Sequence, residues 1–126
     1  MADPRHTLGR TAEQVTATWL SHHGWTVLAT RCRPGAGGEL DLISIDPDGV
    51  LVGVEVRARR TNRTGSAAAS VDRGRVARLR LALASYAVAS GATHRGLRLD
   101  LVTAERGDAQ PGVPRAWRLT RLPGIG

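Results

Sequence analysis

Residues Gly38 to Arg60, GELDLISIDPDGVLVGVEVRARR, constrain this chain more than any other stretch. Two runs of strand-forming residues flank the segment Asp46-Pro47-Asp48-Gly49-Val50. Pro47 presets φ at the first bend position, Asp48 suits the second, and Gly49 can take φ > 0. A three-residue loop ending in a left-handed glycine is a common hairpin connection. If Asp46 and Val50 close that loop, counting back pairs Ser44 with Val52, Leu42 with Val54, Asp41 with Glu55 and Glu39 with Arg57.

That register assigns faces. Leu40, Leu42, Val52, Val54 and Val56 form a core face. The other face carries Ile43, Ile45 and Leu51 near the turn, then Asp41, Glu55, Glu39 and Arg57 at the far end. Asp41 and Glu55 become direct cross-strand neighbours, with Cβ atoms roughly 5 Å apart. Two like charges there repel unless something positive lies between them. A hard divalent cation such as Mg²⁺ takes oxygen ligands, often one or two carboxylates plus waters and substrate phosphates. A slip of one residue would send the two acids to opposite faces and remove this argument.

The remaining sequence reads as helices interleaved with strands. Leu8, Ala12, Val15 and Trp19 form a helical stripe from about Leu8 to His23, stopped by Gly24. Glu13 falls on the flank of that stripe beside Leu20, where spacing alone reads it as a solvated carboxylate. Trp25 to Arg31 is a first strand, and Cys32 to Gly38 is a flexible Gly/Pro connection. Its glycines do not form a phosphate-cradling loop, because a strand follows and no GK[ST] is present. Asp72 or Ser70 caps a second helix running to about Ala89, with Val76, Leu79, Leu83 and Tyr86 as its apolar stripe. Leu97 to Thr103 and Ala116 to Leu122 are the last strands, and Asp100 is a candidate partner for a nearby arginine. The pattern is αβββαββ, which implies an α/β fold with a mixed sheet flanked by helices. One domain spanning 1–126 is expected, with 1–7 and 123–126 flexible and 59–70 a mobile loop.

Charge then narrows the partners. Net charge is +7, and all eighteen basic residues are arginine. Arginine binds phosphate through a bidentate fork, so nucleic acid is the leading polyanion. Arg31, Arg33, Arg59, Arg60, Arg75 and Arg78 are the candidate contacts. One cysteine, Cys32, excludes an internal disulfide framework. No apolar run reaches membrane-spanning length and the N-terminus does not read as a signal peptide, so a cytoplasmic location without membrane contact is expected. His22-His23 lacks metal-ligand spacing, and a chain with no Phe and 3% aromatics offers poor stacking platforms for single strands.

Asp41 followed by Glu55-Val56-Arg57 has the form of the PD-(D/E)XK nuclease superfamily. The longer segments LGRTAEQVTATWL, GGELDLISID, LVGVEVRARR and LRLDLV closely resemble the YraN-like family, which is related to archaeal Holliday-junction resolvases. The resemblance implies a restriction-endonuclease-like fold. It also implies a Mg²⁺- or Mn²⁺-dependent DNA endonuclease acting on branched or damaged DNA. Asp41, Glu55 and the backbone carbonyl of Val56 match metal ligands, and Glu13, matching the acid of the first helix, is expected to complete the metal shell or hold a metal-bound water. Arg57 stands where the pattern has lysine. A guanidinium stays protonated and cannot act as a general base, but it can anchor a phosphate. A homodimer is expected by analogy with resolvases, because a four-way junction has two-fold symmetry.

Two other readings remain open at this stage. One is a non-catalytic nucleic-acid-binding module on a degenerate nuclease scaffold. The other is a protein–protein interaction domain in which Asp41, Glu55 and Arg57 form a buried ion-pair network.

Overall fold

The computed structural model describes residues 4–60, 72–107, 110–112 and 116–125. Helix α1 (Pro4–His22) precedes strands β1 (Thr26–Cys32), β2 (Leu40–Ile45) and β3 (Leu51–Arg60). Helix α2 (Arg73–Ser90), β4 (Leu97–Arg106) and β5 (Trp117–Pro123) follow. The element order is the expected αβββαββ, and the five strands form one mixed sheet in the order β1-β2-β3-β4-β5. Only β3 and β4 are parallel, because α2 carries the chain back across the sheet between them.

The hairpin closes as its turn chemistry dictates. The Asp46 N–H donates to Val50 O, the Gly49 N–H donates to Asp46 O, and Gly49 sits at φ 88°. The Asp46 side chain also accepts from the Asp48 and Val50 N–H groups. The register then runs Ile45↔Leu51, Ser44↔Val52, Ile43↔Gly53 and Leu42↔Val54.

Both faces of this hairpin are buried, one under each helix. Leu42, Val52 and Val54 pack with Leu20 of α1 and Val102 of β4. Ile43 and Leu51 pack with Leu79, Ala82 and Leu83 of α2 and Leu99 of β4. Leu40 joins the α2 side, not the side of Leu42. The alternation breaks at Arg31, which holds a left-handed φ of 49° and lies between the pairs Thr30↔Leu42 and Cys32↔Leu40. Past that residue, Cys32 and Leu40 both turn toward α2.

The helices follow their stripes with one rotation. In α2, Val76, Leu79, Leu83 and Tyr86 all contact the core, with Ala82 between them. Asp72 caps its start by accepting from the Arg75 N–H at 2.7 Å, and Gly91 ends it at φ 64°. Ser70 lies outside the described residues. In α1 the buried line is Ala12, Thr16 and Leu20, one position round from the expected Val15 and Trp19. Thr16 tolerates burial because its hydroxyl donates to Ala12 O at 2.7 Å. The rotation turns Glu13 toward the sheet.

Four boundaries differ from expectation. Helix α1 begins at Pro4, so residues 4–7 are helical. Arg59 and Arg60 continue β3 because β4 supplies Glu105 and Arg106 as partners; the rest of the expected mobile loop lies outside the described residues. Gly124 and Ile125 are pinned, since the Gly124 N–H donates to Asp100 and the Ile125 N–H to Leu99 O. The loop after β1 is docked against α2, where the Gly38 N–H meets Arg78 O at 3.4 Å. No helix among the described residues is long and apolar enough to cross a membrane.

Gly37 is what lets that loop approach. It sits at φ 89°, and a Cβ there would clash with the Arg78 carbonyl and come within 2.7 Å of Ala82 N. Gly37→Ala is expected to destabilise the fold by about 2 kcal/mol or more, since backbone must move. Gly35→Ala is the comparison, because no atom lies within 4 Å of its Cβ and only backbone strain opposes it. Equal denaturation midpoints for the two variants would show that the loop does not depend on this contact.

Candidate active site

The site forms where the hairpin ladder stops. Main-chain groups of alternate residues point toward the same neighbouring strand. Because Val50 O faces Asp46, Val52, Val54 and Val56 direct their main-chain groups toward β2. At Val56 no strand carbonyl receives the N–H. The Asp41 carboxylate takes it instead, at 2.9 Å through Oδ2. The Val56 carbonyl leaves the strand on that same side.

Asp41 is thereby held beside Glu55, one step past the last strand pair Leu42↔Val54. The two carboxyl groups lie within hydrogen-bonding reach of each other. Burial pushes the Asp41 carboxyl up from 3.8 to about 7, and the neighbouring Glu55 pushes in the same direction. The Val56 N–H and the charge of Arg75 oppose the shift without cancelling it.

Arg75, from the first turn of α2, supplies the positive charge at Glu55. Its Nε and Nη2 both donate to Glu55 Oε2, at 3.1 and 2.9 Å. Glu55 is only 5% exposed, whereas Arg75 is 37% exposed and lies at the rim. Arg57 stands two residues beyond Glu55 on the same strand, with its Nε buried and unpaired. The arginine that neutralises Glu55 is therefore Arg75, and the expected pairing of Glu39 with Arg57 does not form. The ladder has ended by then, and Glu39 is a loop residue 3.7 Å from Arg33.

Glu13 reaches this region through Arg31. The Arg31 Nε donates to Glu13 Oε2 at 2.9 Å. Glu13 raises the pKa of that guanidinium through the hydrogen bond and its charge, with smaller contributions from Glu39 and Asp41. Arg31 thus stands between the helix acid and the strand acids. Among the described residues, no three acids, histidines or cysteines gather closely enough to form one metal-binding group. The structure brings Asp41 and Glu55 together and keeps Glu13 on its own arginine.

The other expected phosphate contacts are dispersed. Arg33 is exposed beside Glu39, and Arg78 is exposed on α2. Arg59 lies in β3 with an interaction partner, and Arg60 ends that strand. Tyr86 packs on the core, and His23 Nδ1 donates to Trp19 O at 2.7 Å just past the end of α1.

A second acid cluster shows what full neutralisation looks like in this protein. Asp100 is completely buried and receives Arg98 through two bonds of 2.8 and 3.0 Å. Arg121 and the Gly124 N–H complete its shell at 3.0 Å each. Arg98 also reaches Asp46 at 3.0 Å. Burial opposes ionisation of Asp46, but the Val50 N–H, Arg98 and the Asp48 N–H outweigh it and hold its pKa below the usual value. Asp100 was legible as an arginine partner. The link to Asp46 was not, because it joins residues far apart in sequence. The Arg75–Glu55 contact is hidden in the sequence for the same reason.

Two carboxylates in contact, one of them wanting a proton near neutrality, fit a hard divalent cation. Such an ion would be held by Asp41 and Glu55, with the Val56 carbonyl on the same side.

Fold and site together define a mixed α/β domain with a paired-carboxylate centre at the open end of a hairpin, consistent with a nuclease-like α/β fold. The chain belongs to the family described as "Uncharacterised protein family UPF0102", whose pattern matches residues 12–104. This is the YraN-like family that the hairpin motifs resemble. A UPF0102 protein of Bordetella avium is 42% identical over 108 residues, covering 86% of this chain and 73% of that protein. One from Anaeromyxobacter dehalogenans is 34% identical over 111 residues, covering 88% and 81%. One from Pelotomaculum thermopropionicum is 40% identical over 104 residues, covering 81% and 83%. The matched span includes Glu13, Asp41, Glu55, Arg57 and Arg75.

The raised pKa of Asp41 has a defined consequence for stability. The folded chain holds this proton more tightly than the unfolded one. The resulting stabilisation is full below about pH 4 and is lost as pH rises through about 7. Asn at this position mimics the protonated acid, accepting from the Val56 N–H and donating to Glu55. Asp41→Asn is expected to match the parent near pH 4 and to exceed its stability by on the order of 1–2 kcal/mol at pH 8 without metal. Urea unfolding across pH checks this, and a constant difference between the two proteins would contradict it.

Proposed function

We propose that this protein is a metal-dependent nucleic-acid phosphodiesterase, a Mg²⁺- or Mn²⁺-dependent DNA endonuclease acting on branched or damaged DNA. The observation that carries this reading is the contact between Asp41 and Glu55, to which Arg75 is the one arginine hydrogen-bonded among the described residues. Asp100 and Asp46, by contrast, share two arginines, Arg98 and Arg121, and both accept from main-chain N–H groups. An acid pair kept for stability would be neutralised in that manner, whereas this pair keeps an affinity for a cation.

A divalent ion bound there would supply a more acidic water and would neutralise charge on a phosphodiester. The remaining work falls to the chain itself. Asp41 and Glu55 fix the position of the charge, and the Val56 N–H orients Asp41. Arg57 brings a permanent cation along the same strand, a charge suited to a phosphate oxygen. Glu13 orients Arg31 at the edge of the site, where a flanking phosphate would pass. The surplus of arginine draws a polyanion to the surface.

One feature favours a second reading, a nucleic-acid-binding module without cleavage. Arg57 replaces lysine and cannot take a proton from water. Cleavage is therefore expected to depend on the carboxylates and the ion alone.

Duplex, nicked and four-way DNA incubated with Mg²⁺ or Mn²⁺ tests the proposal. The parent protein is expected to cleave at least one of them, and Asp41→Ala to reduce cleavage to background while binding persists. Salt-sensitive binding with no cleavage in either metal would select the second reading. Cleavage unaffected by Asp41→Ala would remove these residues from the reaction.

A further inference from the structure

Arg75 occupies the place where an added cation would act. Both of its donors converge on one oxygen, Glu55 Oε2. That is not the fork across two carboxylate oxygens that makes arginine pairs strong. Its side chain enters from the exposed rim, while the acid it holds is buried. The shell of Asp100 differs in its bonding rather than in exposure, since Arg98 and Arg121 are themselves 28% and 33% exposed. They hold a fully buried Asp100 from both oxygens, and a main-chain N–H adds a third anchor. One arginine contact in this protein is therefore built to release, and the other to persist.

We propose that Arg75 is a releasable gate on the acid pair: it holds Glu55 until a divalent cation engages Asp41 and Glu55, then swings to the rim and takes a phosphate of the nucleic acid. This rests on the proposed cation site and adds a positioning residue to it. Without the ion, the guanidinium lowers the cost of two neighbouring acids. With the ion, a guanidinium at the same oxygen becomes redundant and repulsive. Its shortest route outward leads along the exposed start of α2, where Arg73 and Arg78 also face solvent. A phosphate that captures Arg75 leaves Glu55 with unbalanced charge, which favours the ion. Metal and nucleic acid thus assist each other's binding, and by linkage the assistance is reciprocal.

The gate predicts that removing Arg75 strengthens metal binding, which a supporting structural contact would not do. Mn²⁺ titration by calorimetry, on the full chain without DNA, compares the parent with Arg75→Gln, Arg75→Lys and Arg73→Gln. Arg75→Gln is expected to tighten Mn²⁺ binding by about tenfold, the scale of one lost charge-assisted contact. Arg75→Lys keeps the charge with a single donor and is expected to fall between. Arg73→Gln removes the same charge from an exposed, screened position and is expected to change affinity by less than about twofold. The same Arg75→Gln substitution is expected to weaken duplex-DNA binding more in Mn²⁺ than in EDTA, where Arg75 of the parent stays on Glu55. Equal or weaker Mn²⁺ binding by Arg75→Gln would overturn the gate and leave the acid pair as a metal site. Equal tightening by Arg73→Gln would also overturn it, as a general charge effect. Absence of Mn²⁺ binding in every variant would overturn both the gate and the cation site beneath it.

Discussion

A buried Glu55 and a half-buried Asp41 have, among the described residues, one arginine hydrogen-bonded to the pair, and the rest of the site is arranged around that imbalance. Asp41 and Glu55 face each other because a glycine-closed turn fixes the register of the strands that carry them. The pair has three means of relief: a proton on Asp41, the guanidinium of Arg75, or an external cation. Burial first, and Glu55 after it, push the Asp41 carboxyl up to about 7, and the charge of Arg75 opposes them without cancelling them. The Asp46–Arg98–Asp100–Arg121 cluster in the same molecule has enough positive charge and main-chain donors for its acids. The contrast between these two clusters is the physical basis for reading one as structural and the other as chemical.

The fold serves this arrangement by covering both faces of a short hairpin. Each helix buries one set of alternating residues, so the register of β2 against β3 cannot slip without exposing both sets. At the open end the alternation is deliberately broken. The left-handed Arg31 turns Cys32 and Leu40 toward α2, and Asp41 reaches across to the Val56 N–H. A non-glycine residue with positive φ is uncommon, and its cost is of the order of 1–3 kcal/mol. Here it stands beside the acid pair, with its side chain tied to Glu13. Strain, an interrupted ladder and a buried unpaired Arg57 Nε all fall within a few residues of the same carboxylates.

Much of this was legible in the sequence because it is local. Pro47, Asp48 and Gly49 specify the turn, and counting from it placed Asp41 against Glu55. The stripe of α2 and the cap at Asp72 follow from spacing and side-chain chemistry. What escaped is tertiary. No spacing rule reveals that Arg75 crosses from α2 to β3, or that Gly124 returns to Asp100. Leu40 was assigned to the wrong face because strict alternation was assumed through Asp41, and nothing in RCRPG announces a left-handed arginine. The stripe of α1 was placed one residue off, since Thr16 is polar in composition yet satisfies itself within the helix.

The most direct measurement is anomalous diffraction from crystals grown with Mn²⁺, recorded at the manganese edge. The account predicts a peak between the Asp41 and Glu55 carboxylates, with the Arg75 guanidinium displaced from Glu55 Oε2. A protein saturated with Mn²⁺ that shows no peak there, and keeps Arg75 on Glu55, would contradict it.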